Sequence, residues 1–178
     1  MTNNELSKTL SYVLRHKPEA YGVVLDNEGW AEVKHLLSAL QHHHQHLVSL
    51  QQLQEVVSTN EKQRFSFNDA NTHIRANQGH SVPVDLPLET QIPPDLLFHG
   101  TATRFLDSIY ENGLLKGARH HVHLSADEAA AAEVGQRYGK PIVLRVRALA
   151  MHHDGMLFVR SANGVWLTDK LPAAYILP

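Results

Sequence analysis

Arg64-Phe65-Ser66-Phe67-Asn68-Asp69-Ala70-Asn71-Thr72-His73-Ile74-Arg75-Ala76, residues 64–76, is where the hydrophobic period of this chain changes. Phe65 and Phe67 alternate with polar neighbours, residues 68–71 carry turn chemistry, and an extended pattern resumes at Thr72. The stretch predicts a β-hairpin. Upstream the apolar positions recur at helical spacing. Leu6, Leu10, Val13 and Leu14 line one face of a first helix, stopped near Pro18. Val33, Leu36, Leu37 and Leu40 line a second helix. Leu50, Leu53, Val56 and Val57 line a third, with Ser49 as its N-cap.

Three helices followed by a hairpin is the element order of a winged helix, a fold that does not by itself define function. Four prolines then fall within residues 81–94, which forbids a helix and disfavours a central strand. That stretch reads as an extended connector, dividing the chain into lobes of residues 1–88 and 89–178. In the second lobe, Leu96-Leu97-Phe98-His99-Gly100-Thr101 reads as an apolar strand closed by glycine at a polar turn. Residues 104–112 read as a helix with Phe105, Leu106, Ile109 and Tyr110 inward, ended by Gly113. His121-Val122-His123-Leu124-Ser125 reads as a short strand, with Ser125 capping an Ala-rich helix over 126–138 and Glu128 at the capping-box position. Residues 142–146, 158–159 and 164–167 add strands. The expected fold class is α+β.

Composition narrows the function. The chain has 178 residues, 43% of them hydrophobic, enough for a core without cross-links. It has no cysteine, which excludes a disulfide scaffold, an iron–sulfur cluster and a cysteine nucleophile, and fits a reducing compartment. No basic-then-apolar start and no run near the roughly 20 residues that span a bilayer are present, so a cytoplasmic protein off the membrane is expected. The net charge of −2 disfavours a protein that coats nucleic acid nonspecifically. A polyanionic partner would have to be held by a few placed cations. The 14 histidines make the true charge sensitive to pH just below neutrality.

Several clusters bear chemistry, each with a plainer alternative. Arg15-His16-Lys17 ends the first helix, where cations suit the helix dipole; three adjacent cations on a helix, pointing about 100° apart, also suit a phosphate. Arg75 sits on a strand ahead of Asn77-Gln78-Gly79-His80-Ser81, a run dense in hydrogen-bonding groups that also suits a plain loop. A turn at His99-Gly100-Thr101 offers backbone N–H groups to a ligand. Arg119 is a lone cation before the His121–His123 pair, whose spacing suits zinc if His99 or Asp127 completes the set, or a hydrogen-bonded structural role. Gln41-His42-His43-His44-Gln45-His46 reads as a solvated loop between the second and third helices rather than a metal site. Phosphate-loop, dinucleotide and nucleophile-elbow motifs are absent. The arginines and histidines that remain suit the binding and rearrangement of phosphates without a metal.

Taken in order, L-R-H-K-P (14–18), I-R-A-N-Q-G-H-S (74–81), L-F-H-G-T (97–101), R-H-H-V-H-L-S (119–125) and G-V-W-L-T (164–168) resemble the RNA 2′-phosphotransferase family nearly end to end. The resemblance implies an N-terminal winged-helix RNA-binding lobe and a C-terminal ADP-ribosyltransferase-like lobe that binds NAD⁺. It implies an enzyme of tRNA splicing or RNA repair that transfers an internal RNA 2′-phosphate to NAD⁺, a consumed co-substrate. The route runs through a 2′-phospho-ADP-ribosylated RNA and releases nicotinamide, 2′-hydroxyl RNA and ADP-ribose 1″,2″-cyclic phosphate. The family's Arg-His-Arg-Arg set falls on Arg15, His16, Arg75 and Arg119. Its NAD-binding positions fall on His99, Gly100, Thr101, His123 and Ser125, with Val165 where many ADP-ribosyltransferases carry glutamate. No metal is expected, and the protein is expected to be a monomer. The alternatives are an ADP-ribosyltransferase acting on protein or nucleic-acid ends, and a non-catalytic winged-helix nucleic-acid-binding protein.

Overall fold

A computed structural model describes residues 1–44 and 47–177 of the chain. It divides into two compact units, Met1–Pro87 and the remainder from Leu88. Both mix helices with small sheets, so the fold class is α+β.

In the first unit, α1 spans Asn3–Arg15 and opens on a capping box between Thr2 and Glu5. The residues of its predicted face, Leu6, Leu10, Val13 and Leu14, are all fully buried. Burying each contributes roughly 1.5–3 kcal/mol, which explains why this periodic face dominates the local fold. Pro18 does more than stop the helix: it opens a 3₁₀ turn over Pro18–Tyr21, closed by Gly22 at φ 65°. A two-residue strand, β1 (Ala31–Glu32), precedes α2 (Val33–His44); α3 (Leu50–Ser58) follows. Ser49 caps α3 by accepting from Gln52 N, as its position predicts. The hairpin is present as β2 (Phe65–Phe67) and β3 (His73–Ala76), in antiparallel register with Ser66 opposite Arg75. β1, which the sequence did not reveal, pairs with the other edge of β3, giving the order β1-β3-β2.

The histidine run corrects the sequence reading. His42, His43 and His44 form the last turn of α2 rather than a loop, while Gln45 and His46 lie outside the described residues. Tyr21 accounts for the extra turn: its hydroxyl lies 2.9 Å from His44 Nε2, and its ring is 4.3 Å from that of His43.

The second unit begins with β4 (Leu96–Ala102) and a 3₁₀ turn leading into α4 (Leu106–Asn112). β5 (Val122–Leu124), α5 (Glu128–Gly135), β6 (Pro141–Arg147), α6 (Ala148–His153), β7 (Val159–Arg160), β8 (Trp166–Thr168) and β9 (Ile176–Leu177) complete it. Two three-stranded antiparallel sheets result, β4-β6-β9 and β5-β8-β7. They are stitched by one bridge in which Phe98 and Ser125 exchange both backbone hydrogen bonds at 2.8 Å.

Four readings of this unit are corrected. Phe105 and Tyr110 are exposed, not inward. The 3₁₀ start, with its tighter turn, shifts Phe105 off the core face, and only Ile109 of the helix is buried. Asp127, not Ser125, caps α5, accepting from Ala129 N and Ala130 N, because the backbone of Ser125 is committed to the Phe98 bridge. The helix proper ends at Gly135, followed by a 3₁₀ turn over Gln136–Tyr138. Finally, His99-Gly100-Thr101 is not a turn: all three residues are paired within β4 to Leu144, Val143 and Ile142 of β6. A Cβ at Gly100 would stand 1.6 Å from the Ala131 carbonyl oxygen, so glycine is required for α5 to lie on the strand. Among the described residues, no helix is long and apolar enough to cross a membrane.

Candidate active site

In the first unit, the two motifs that end α1 and follow β3 are tied together. Arg15 is the last helical residue; its carbonyl accepts from Ser81 N at 2.9 Å and Val82 N at 3.3 Å. His16 is the C-cap, with φ −127° and ψ −43°, so it leaves the helical spiral instead of continuing the 100° spacing expected for three cations on a helix. Its Nδ1 lies 2.9 Å from Ser81 Oγ. One serine therefore orients both members of the Arg-His pair. The Arg15 guanidinium carbon lies 6.0 Å from the centre of the Phe65 ring, and Phe65 is the strand partner of Ala76, next to Arg75.

Arg75 is held by its flat face. Its guanidinium carbon is 4.3 Å from the Trp30 ring centre, a cation–π stack, and Nη1 is 3.8 Å from Glu28 Oε2. Its Nε is buried and makes no hydrogen bond among the described residues. The polar run after β3 is largely structural at Asn77, which is buried, accepts from Ser66 Oγ at 2.8 Å and donates to the Gln63 carbonyl at 2.6 Å.

In the second unit a hydrogen-bonded chain links three motifs. The Arg119 guanidinium donates from Nη1 to His123 Nδ1 at 3.0 Å. The His123 carbonyl accepts from His99 Nδ1 at 2.9 Å. The His99 proton is thereby assigned to Nδ1, which leaves a lone pair on Nε2 in the neutral ring. Burial lowers the His99 pKa from its ordinary value; the bond to the His123 carbonyl opposes this and the Arg119 charge adds to it. His99 is thus a neutral imidazole at neutral pH.

The loop bearing Arg119 is anchored by Leu114, which exchanges backbone bonds with Leu171, and by Lys116, whose Nζ is 2.6 Å from Asp169 Oδ1. His121 lies outside β5, so the expected two-histidine face is broken at that end. Burial lowers its pKa, assisted by His120 and Lys116. Among the described residues no group of three or more histidines and carboxylates is placed to hold a metal.

Ser125 Oγ accepts from Asp127 N at 3.0 Å, and Thr101 is buried in β4. Val165 stands just before β8, where its N–H donates to Ser161 Oγ and its carbonyl accepts from Ser161 N. Trp166, the next residue, pairs with Leu124 of β5, so Val165 follows the line of the His123–Ser125 strand. Sequence reading passed over Trp30, Glu28 and the anchoring part of Ser81. The Glu28-Gly29-Trp30 turn carried a signal, an aromatic beside a glycine after Asp26-Asn27, but nothing in the chain order couples it to Arg75.

Residues 1–170 match the family model described as RNA 2′-phosphotransferase, Tpt1/KptA family, which makes the class of this protein a transferase. Relatives named "Probable RNA 2′-phosphotransferase" from Acaryochloris marina and Nostoc punctiforme are 52% and 51% identical over 172 residues, covering 97% of this chain and 94% of each relative. One from Pseudomonas aeruginosa is 49% identical over 176 residues, covering 98% and 96%. The chain belongs to the RNA 2′-phosphotransferase family.

Proposed function

We propose that this protein removes an internal 2′-phosphate from RNA by transferring it to NAD⁺. The observation that best supports this reading is the Arg119–His123–His99 chain, which links a cation suited to a phosphate to a neutral, partly buried imidazole through one strand. In this reading the first unit is a winged-helix RNA-binding lobe and the second an ADP-ribosyltransferase-like lobe.

The residues fit the co-substrate. A neutral His99 with its Nε2 lone pair accepts from a ribose hydroxyl, and the hydroxyls of Thr101 and Ser125 and the ring of His123 offer further hydrogen-bonding groups. Gly100 keeps the strand in place beneath them through its contact with α5. Val165 puts an apolar side chain where many ADP-ribosyltransferases carry glutamate, which suits an acceptor that arrives as an anion and needs no carboxylate to deprotonate it. NAD⁺, when bound, supplies a ribose carbon with nicotinamide as leaving group.

The roles follow from charge. The RNA 2′-phosphate oxygen bonds to that ribose carbon as the C–N bond to nicotinamide breaks, giving the 2′-phospho-ADP-ribosylated RNA. The neighbouring 2″-hydroxyl then bonds to phosphorus and the bond to the RNA 2′-oxygen breaks. The 2″-hydroxyl proton is lost and the 2′-oxygen is protonated, leaving 2′-hydroxyl RNA and ADP-ribose 1″,2″-cyclic phosphate. Arg15, Arg75 and Arg119 stay cationic throughout and stabilise the charge that gathers on phosphorus. His16, oriented by Ser81, is the group of this set that can move a proton near neutral pH.

The test is incubation with a short RNA carrying one internal 2′-phosphate, with and without NAD⁺. Nicotinamide and ADP-ribose 1″,2″-cyclic phosphate are expected only with NAD⁺, and Arg119→Ala should slow the reaction strongly. Release of inorganic phosphate without NAD⁺ would overturn the proposal.

A further inference from the structure

We infer that His123 is a positioning residue for Arg119: its ring accepts one hydrogen bond from the guanidinium and so aims it at the phosphate without cancelling its charge. The inference rests on the reading of Arg119 as a phosphate ligand, and it gives His123 a task apart from holding NAD⁺.

Two observations carry it. First, the direction of the bond is fixed. Arg119 Nη1 lies 3.0 Å from His123 Nδ1. A guanidinium has donors only, so Nδ1 is the acceptor and the proton of the neutral ring is on Nε2. His99 has the opposite tautomer, with its proton on Nδ1, because its partner is the His123 carbonyl. Each ring is set by one partner. Second, the acceptor stands on a rigid element and the arginine does not. His123 is the middle residue of β5, between buried Val122 and Leu124. Its backbone pairs with Leu167 of β8, and its carbonyl holds His99. Arg119 is exposed and closes a turn in which Gly117 takes φ 60° and Arg119 N donates to the Lys116 carbonyl at 3.2 Å. Among the described residues, the His123 bond ties this guanidinium to the sheet.

A neutral acceptor suits this task. A carboxylate in the same place would orient the arginine but offset its charge, weakening its attraction for an anion. An imidazole nitrogen takes up one N–H and leaves the other donors of the guanidinium for two oxygens of one phosphate. An exposed arginine otherwise samples many rotamers. Fixing it before the substrate arrives removes part of the ordering cost from the transition state. The bond needs the neutral ring, because a protonated His123 would set a second donor against the guanidinium.

The experiment compares His123→Asn, His123→Gln and His123→Ala on a short RNA with one internal 2′-phosphate. Asparagine sets an amide oxygen where Nδ1 stands, whereas the longer glutamine sets its amide nearer Nε2. Turnover is measured at saturating NAD⁺, so a change in KM for NAD⁺ is separated from a change in kcat. His123→Asn should keep kcat within about threefold, while His123→Gln and His123→Ala should lose roughly tenfold, the scale of one hydrogen bond to a charged group. In Arg119→Ala, adding His123→Ala should slow single-turnover reaction by no more than about twofold, since the histidine acts through the arginine. Nitrogen-15 spectra above neutral pH, with the His123 ring assigned by its loss in His123→Asn, should place the ring proton on Nε2. A glutamine variant no slower than the asparagine one, a full further loss from His123→Ala in Arg119→Ala, or a ring proton on Nδ1 would each overturn the inference. Wild-type turnover by Arg119→Ala would overturn the phosphate role of Arg119, and the inference with it.

Discussion

His99 Nδ1 donates to the backbone carbonyl of His123 at 2.9 Å, so a strand of one sheet sets the tautomer of a side chain on the other. The bond holds a partly buried imidazole in one orientation, while burial keeps it neutral. Its cost appears at low pH, where the ring must accept a proton in a place that disfavours charge.

That cost gives a pH prediction. The folded-state pKa of His99 lies below its ordinary 6.5, so the unfolded chain binds the proton first as the pH falls. The stability contribution is intact above pH 6.5 and is lost between that value and the lower folded-state pKa. Urea unfolding of the wild type and of His99→Asn from neutral pH downward checks this. The variant should lose less stability over the window, and a parallel fall in both would exclude His99 as the source.

Gly100→Ala should destabilise the protein by about 3 kcal/mol or more, because the added methyl meets the Ala131 carbonyl rather than a side chain that can move. The matching change at Gly22, where a Cβ meets nothing within 4 Å, should cost only about 1–2 kcal/mol, from its left-handed backbone. Denaturation midpoints of the two variants give the comparison.

Arg75→Lys should lower turnover at least tenfold while leaving the melting temperature within a few degrees. A lysine keeps the charge but loses the planar stack on Trp30 and the forked donors. Near wild-type turnover would show that charge alone suffices at this position.

Ser81→Ala removes the hydroxyl beside His16 but keeps the Ser81 N–H bond to the Arg15 carbonyl. The loss of one hydrogen bond of about 0.5–1.5 kcal/mol should reduce kcat roughly two- to tenfold, with KM for NAD⁺ unchanged. Ser81→Thr should retain most of the wild-type rate, since it keeps a hydroxyl at the same place. Steady-state kinetics of both variants decide the point.

The helical faces around Leu10, Leu36 and Leu53 and the hairpin around Phe65 and Ile74 were legible in the sequence because their information is local. Period, cap and turn residues lie within a few positions of one another, and apolar burial enforces them. The ordered motifs likewise carried the family. Tertiary structure decided what depended on distant partners. Gly100 looked like a turn because glycine often is one, yet α5, far along the chain, made it a strand residue. Ser125 looked like a cap until Phe98 claimed its backbone. Trp30 and Glu28 meet Arg75 only because β1 pairs with β3, a two-residue strand too short to show a period. A side chain's local pattern reports which face it turns to the core; its partner is set by pairing between segments that the chain order does not bring together.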